Sequence, residues 1–203
     1  MHARLTYNSG KSSFLLTLLR ILEIQSGAIF IDGVDLSTIP RERIRTSMIT
    51  IPQDPFILND TVRVNADPTR IVSDTAIISA LQKVKLWETI ETRGGLDAQM
   101  KIQPLSQGQQ QLFVLARAIL CKEKIRILIL DEATSQVDLE TDQLMQDIIR
   151  EEFKTHVIIT VAHRLNTILD SDRVAVLNQG ELTEFGDPRE LMEQPSWFRD
   201  MHV

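Results

Sequence analysis

One stretch constrains the fold more than any other: Ile125–Asp138, IRILILDEATSQVD. Four apolar residues, Ile127–Leu130, run straight into two carboxylates, Asp131 and Glu132. A short apolar run bounded by charge suits a strand buried on both faces, as in a parallel sheet covered by helices. Asp131 and Glu132 then stand where that strand leaves the sheet, the end at which ligands bind in open α/β folds. Two adjacent acids there cost desolvation and mutual repulsion unless a cation or a reacting proton uses them. The plain alternative is a strand followed by two solvated acids.

The second informative stretch is Ser9-Gly10-Lys11-Ser12-Ser13, followed by FLLTLLRIL, apolar enough for a buried helix. A Gly-Lys-Ser triplet opening a helix is the second half of a phosphate-binding P-loop. Gly10 lets backbone approach an anion, helix-start amides point at phosphate, Lys11 adds a point charge and Ser12 can ligate Mg²⁺. The complete pattern requires glycine at position 5, where this chain has Leu5, and Asn8 stands near the turn. On the half-motif alone, a helix that merely begins with Ser-Gly-Lys is an equal alternative.

Between these two stretches, Gly27–Gly33 reads as a strand and tight turn, with Asp32-Gly33 a hairpin signal and Val34–Leu36 returning. A short helix over Thr38–Thr46, started by Pro40, and a strand over Ser47–Pro52 follow. Gln53 lies just past that strand, in a loop stiffened by Pro52 and Pro55. Strand signals then vanish to roughly Gly95. Ile77, Ile78, Leu81, Val84, Leu86 and Trp87 carry a helical pattern across Ser73–Thr92, with Trp87 as core packing. In PLSQGQQQL, Ser106 followed by Gln109 ahead of an apolar run is a capping box for a helix over Gly108–Cys121. Gly108 in its first turn weakens a helix but opens its backbone to a ligand, and a helix start is an anion site.

Past the paired acids, Asp138 is placed to cap a helix over Leu139–Phe153. His156–Val161 is another buried strand, with His163 just beyond its end. A hairpin turns at Asn178-Gln179-Gly180, and Asp187-Pro188-Arg189-Glu190 opens a final helix as a second capping box.

Composition narrows the class. A chain of 203 residues can bury a full α/β core, and its net charge of −6 offers no basic footprint for nucleic acid. No apolar run approaches the roughly 18–20 residues that span a bilayer, and Met1–Gly10 has no signal-peptide pattern. The single cysteine, Cys121, excludes an internal disulfide framework and fits a cytosolic compartment; its apolar helical setting makes it a structural thiol.

In this order, SGKSS, Gln53 in IPQDP, LSQGQ, ILILDEATS, SQVD and His163 in VAHRL resemble the ATP-binding cassette (ABC) ATPases over essentially the whole chain. MITIPQDPFILNDTVRVNADP and TILDSDRVAVLNQGELTEFGDP are similar to the second nucleotide-binding domain of C-subfamily, multidrug-resistance-associated exporters. The resemblance implies a P-loop NTPase (RecA-like) α/β fold in a single domain, 1–203. Its ATP-binding core would be 1–56 and 109–203, and its helical subdomain 57–108. ATP and Mg²⁺ would be bound, with Ser9, Gly10, Lys11, Ser12 and Ser13 on the phosphates and Ser12, Gln53 and Asp131 on the metal. Glu132 would be the general base and His163 the γ-phosphate contact. Ser106, Gly108 and Gln109 would reach the ATP of a partner domain, with Asp138 at that head-to-tail interface. The partners implied are a second nucleotide-binding domain and the transmembrane domains of an exporter, at the cytosolic face of a membrane.

The departures lie at the front. Leu5-Thr-Tyr-Asn8 replaces the glycine-rich half of the loop, and upstream strands of the family have no counterpart before Met1. The chain therefore reads as an N-terminally truncated domain whose first eight or so residues (a boundary set roughly by the motif) are not a native P-loop. Three alternatives stay open: a catalytically impaired or regulatory nucleotide-binding fragment, a soluble cassette ATPase outside transport, and a nonfunctional remnant.

Overall fold

The computed structural model describes residues 10–161 and 168–200, and its contacts divide the chain into two units. The first comprises 1–50, 124–132 and 156–203; the second comprises 51–123 and 133–155.

The first unit is a sheet with helices. Its centre is β4 (Ile127–Asp131), flanked by β3 (Met48–Ile51) and β5 (Val157–Val161), in the order β3-β4-β5. β4 and β5 run parallel, in register from Ile127 opposite Val157 to Asp131 opposite Val161. All four apolar residues of β4 are buried, as its uninterrupted hydrophobic run requires of a strand covered on both faces. Ile127 and Ile129, two apart and so on one face, join Leu15 and Leu18 of α1 (Lys11–Leu18), Ile44 of α2 (Arg41–Ser47), Leu36, Met48 and Val161 in a common core.

Two hairpins complete this unit. β1 (Phe30–Ile31) and β2 (Val34–Asp35) pair antiparallel around Asp32-Gly33, both at positive φ, 51° and 77°. β6 (Val174–Asn178) and β7 (Glu181–Gly186) turn at Gln179-Gly180, at 49° and 85°. Positive φ at both central positions is the mirror-image turn whose twist matches paired strands, and Asp-Gly is among its preferred sequences. At the chain's end, α8 (Pro188–Glu193) is capped by Asp187, which accepts from the amide of Arg189, so the cap is one-sided and not the reciprocal box expected. The Glu184 carboxylate accepts from the amides of Trp197 and Phe198, anchoring the start of α9 (Trp197–Asp200).

The second unit is helical: α3 (Val62–Ala66), α4 (Asp74–Lys83), α5 (Trp87–Glu91), α6 (Gln107–Cys121) and α7 (Leu139–Glu152). The helical subdomain expected over 57–108 falls wholly inside it, and α6 and α7 join it. α4 packs on α6 and α6 on α7. Glu152 ties the three together, accepting from Lys83 of α4 at 2.6 Å and Lys122 at the end of α6 at 2.8 Å.

Two helices are shorter than their hydrophobic patterns, for one reason. The pattern over Ser73–Thr92 divides at Lys85, which takes φ 56°. Lys85 donates its amide to Gln82 O and Leu86 to Leu81 O, the paired bonds of a Schellman stop. α1 ends the same way before FLLTLLRIL is used up: Arg20 has φ 48°, with bonds Arg20 to Thr17 O and Ile21 to Leu16 O. Its guanidinium then donates to the carbonyls of Leu36, Ser37 and Ile39. Ile21, Leu22 and Ile24 lie beyond that stop and are exposed, not part of a buried helix.

Candidate functional site

The paired acids sit where the sheet puts them. β4 ends at Asp131, and Glu132 donates its amide to Val161 O at 3.0 Å, one step beyond the ladder with β5. Glu132 has φ 50°, a left-handed conformation that costs a non-glycine residue about 1–2 kcal/mol. The neighbouring Ala133 is buried, so the chain is held through this bend. A strained residue fixed on both sides is the kind of backbone that persists at functional sites.

Lys11, the first residue of α1, comes to the same place. Its Nζ lies 3.5 Å from Glu132 Oε1, and the two side chains are 9% and 22% exposed. A lysine this buried needs anionic company, and it finds it at the carboxyl end of β4. Gly10, at φ 91°, provides the left-handed turn that delivers the chain into α1, and a Cβ there would stand 3.5 Å from Gly180 Cα. Ser12 and Ser13 are exposed in the first turn of α1, whose first amides have no carbonyl within the helix to bond.

Asp131 is poised electrostatically. Burial pushes its carboxyl above the ordinary range, the Glu132 charge pushes it further, and Lys11 pulls it back in part. A cation at this carboxylate would remove that cost. Among the described residues no group of three or more His, Cys, Asp or Glu could hold a metal by itself. The hydroxyl of Ser12 and the carboxylate of Asp131, both in the first unit, are hard oxygen donors, suited to Mg²⁺, which keeps few protein ligands and shares its shell with water and phosphate.

In the second unit, Ser106 and Gln109 form the reciprocal capping box: Ser106 Oγ accepts from the Gln109 amide at 3.3 Å and Gln109 Oε1 from the Ser106 amide at 3.1 Å. The amides of Ser106 and Gln109 are thereby satisfied, so the helix-start donors that no intrahelical carbonyl reaches are those of Gln107 and Gly108. Gly108 faces the start of α7. A Cβ there would stand 3.4 Å from both Cγ2 and Oγ1 of Thr141 and 3.8 Å from Asp138 Oδ2. The start of α6 thus lies against the start of α7. There the Asp138 carboxylate accepts from the amide and hydroxyl of Thr141 at 2.9 and 2.8 Å. Those two bonds hold its carboxyl below the ordinary range. Gln107 adds a side-chain hydrogen bond to Gln136, in the loop before α7.

Of the residues singled out in the sequence, Lys11, Asp131 and Glu132 come together in the first unit, and Ser106, Gly108, Gln109 and Asp138 in the second. Gln53 belongs to the second unit, where its backbone carbonyl accepts from Gln111. Ser9 and His163 lie outside the described residues. Sequence reading passed over Gln107 and Gln111; the signal for Gln111 was a polar residue on the apolar face of α6.

Comparison with known proteins gives this geometry a family. The model of the ABC transporter family matches residues 8–135. The chain is 48% identical over 196 residues to ABC multidrug transporter B of Aspergillus fumigatus, covering 96% of this chain and 13% of that protein. It is 45% identical over 189 residues to ATP-binding cassette sub-family C member 10 of Mus musculus, covering 92% of this chain and 12% of that protein. Among solved structures it is similar to a bacterial Atm1-family ABC exporter with ATP bound, with a TM-score of 0.89 and 30% identity over 98% of this chain and 35% of that one. The chain thus spans roughly an eighth of these two transporters' lengths (13% and 12%). A buried lysine at a helix start facing two acids at a strand end, a capped helix start beside a second one, and these matches lead to one conclusion: the chain belongs to the ABC transporter family, with its P-loop ATPase fold.

Proposed function

We propose that the chain is one ATP-binding and hydrolysing domain, 1–203, of an ABC-type exporter, and that it works on Mg²⁺-ATP. The observation that carries this reading is the cluster of Lys11, Asp131 and Glu132 at the end of β4, with Glu132 locked in a strained conformation. Phosphoryl transfer to water asks for a positioned base and for charge stabilisation around the γ-phosphate. Glu132 takes a proton from the attacking water as its oxygen bonds to the γ-phosphorus. The bond to the bridging oxygen breaks, and ADP and phosphate leave. Lys11 exchanges its contact with Glu132 for the β- and γ-phosphates, alongside the amides and hydroxyls of Ser9, Gly10, Ser12 and Ser13. His163 contacts the γ-phosphate. Mg²⁺, held by Ser12, Gln53 and Asp131, would supply neutralisation of the phosphate charge.

The start of α6 serves a second nucleotide. Gln107 and Gly108 amides, with Ser106 and Gln109, present donors to ATP on another nucleotide-binding domain, and Asp138 and the exposed Leu139 lie at that head-to-tail contact. Closure on ATP and reopening after hydrolysis would move transmembrane domains docked on the cytosolic side. Among the described residues no helix is long and apolar enough to cross a membrane. The membrane-spanning part of such a transporter would therefore be supplied by other segments. The net charge of −6 fits partners other than nucleic acid.

Release of phosphate from ATP, measured against Mg²⁺ and against chain concentration, tests the reading. A rate that needs Mg²⁺ and rises more steeply than linearly with chain concentration is expected; no Mg²⁺-dependent release at any concentration would overturn it. One sequence observation favours a second reading, a nucleotide-binding domain of weakened affinity: Leu5 stands where the phosphate loop requires glycine.

A further inference from the structure

The segment after β3 has almost no regular structure, yet three side chains pin it. Gln111, on α6, is 2% exposed, and its Nε2 donates to the carbonyls of Pro52 at 3.1 Å and Gln53 at 2.7 Å. Arg117, less than two turns further along α6, donates from Nη1 to Phe56 O at 2.7 Å and from Nε to Asn65 O at 2.6 Å. Its guanidinium lies 5.1 Å from the centre of the Phe113 ring. Asn65, fully buried, accepts from the Leu58 amide at 2.7 Å and donates to the carbonyls of Leu58, Asp60 and Thr61. Arg117 Nη2 reaches Asn65 Oδ1 at 3.1 Å, which joins the clamps. Every carbonyl so held belongs to the second unit, as does α6.

A glutamine buried on the apolar face of a helix is costly unless its amide is needed. Among the described residues the Gln111 amide is used only on backbone flanking one side chain, that of Gln53, and its Oε1 has no hydrogen-bond partner. An acceptor left unsatisfied in the interior is a standing cost, and a hydrophobic residue of similar volume would avoid it. Stability alone is therefore a poor reason for glutamine here.

We propose that Gln111 and Arg117 are positioning residues for Gln53: they fasten the backbone of residues 52–56 to α6, so that the Gln53 side chain is presented in one orientation. Because the start of α6 carries Ser106, Gly108 and Gln109, whatever engages that helix start is joined through α6 to Gln53. This rests on the reading of Gln53 as a ligand of the Mg²⁺ that accompanies ATP.

The test is the Mg²⁺ dependence of ATP hydrolysis by the full 203-residue chain. Q111M keeps the volume and removes both donors; R117K keeps the charge, loses the forked geometry, and decides the matter if Q111M does not fold. The Mg²⁺ concentration for half-maximal rate is expected to rise about three- to tenfold in either variant, the range that loss of a hydrogen bond produces, with a smaller change in KM for ATP. E152Q, which breaks the ion bridge among α4, α6 and α7, is expected to lower the melting temperature without moving the Mg²⁺ midpoint. In a Q53A background Q111M should move the midpoint no further, because the side chain it positions is gone. An unshifted midpoint in the folded variants, an equal shift in E152Q, or additive effects of Q53A and Q111M would overturn the positioning role. Wild-type chain without Mg²⁺-dependent hydrolysis would instead overturn the functional reading beneath it.

Discussion

Replacing Glu132 by glutamine should tighten ATP binding while it removes hydrolysis. Lys11 Nζ stands 3.5 Å from Glu132 Oε1, with both side chains largely out of water. At an effective dielectric constant of about 20, that separation corresponds to roughly 5 kcal/mol of gross attraction, most of it offset by the desolvation of both groups. To hold a phosphate, Lys11 must give up part of this attraction. In E132Q one of the carboxylates that attract Lys11 is gone, and the Asp131 carboxylate loses one of the two influences that raise its pKa, so it is more fully ionised for a cation. If a quarter to a half of the gross attraction opposes binding, affinity should rise about ten- to fiftyfold. Calorimetric titration of wild type and E132Q with ATP and Mg²⁺ at neutral pH reads this directly. Weaker binding by E132Q would mean that Glu132 helps hold nucleotide and does not compete for Lys11, and the electrostatic reasoning would fail.

Other outcomes follow from the same contacts. D131N should abolish Mg²⁺-dependent hydrolysis yet raise the melting temperature, since it removes a buried carboxylate held in its charged form against its raised pKa; the gain should shrink as pH falls and Asp131 protonates in wild type. E152Q should destabilise the chain by about 1–2 kcal/mol in denaturant titrations near neutral pH. Burial works against the charged form of Glu152, but hydrogen bonds from Lys122 and Lys83 outweigh it and hold its carboxyl below the ordinary range. Its contribution is therefore present above the ordinary glutamate pKa and lost as pH falls through the lowered one, so the difference between E152Q and wild type should vanish in acid. G108A should slow hydrolysis that depends on chain concentration, because its methyl, in van der Waals contact with Thr141 at 3.4 Å, would stand where glycine leaves the backbone at the start of α6 open to a ligand.

Much of this was legible in the residues, and the exceptions have physical causes. The run Ile127–Leu130 announced a strand buried on both faces, and the structure buries all four of its residues beside a parallel neighbour. Asp32-Gly33 and Asn178-Gln179-Gly180 announced hairpins; aspartate and glycine accept the positive φ such turns need, while Gln179 takes it at φ 49° without that preference. Helix ends were harder to read. Arg20 and Lys85 stop helices in the left-handed conformation usually left to glycine, so nothing in the hydrophobic pattern marks them. Their long side chains offer one explanation for Arg20, whose guanidinium is spent on three carbonyls; nothing comparable explains Lys85.

At the site, residue types were easier to read than their constraints. Lys11, Asp131 and Glu132 were named by motif, but the strain at Glu132 comes from a bend between two fixed ends that no local pattern encodes. Gly108 was read as an opening for a ligand, and the structure adds Thr141 and Asp138 as its neighbours, within van der Waals reach of any Cβ placed there. Gln111 showed only as a polar residue on the apolar face of α6; its role was not legible because its partners lie far away in sequence, on the loop at Pro52 and Gln53.

The central claim is that the acids at the end of β4 hydrolyse ATP. Single-turnover hydrolysis, with the 203-residue chain in excess over radiolabelled ATP and with Mg²⁺ present, measures that step alone. Wild type should release phosphate, and E132Q, with ATP bound at least as tightly, should be slower by about 10²–10⁴-fold, the usual worth of a general base. Equal rates in the two proteins would contradict it.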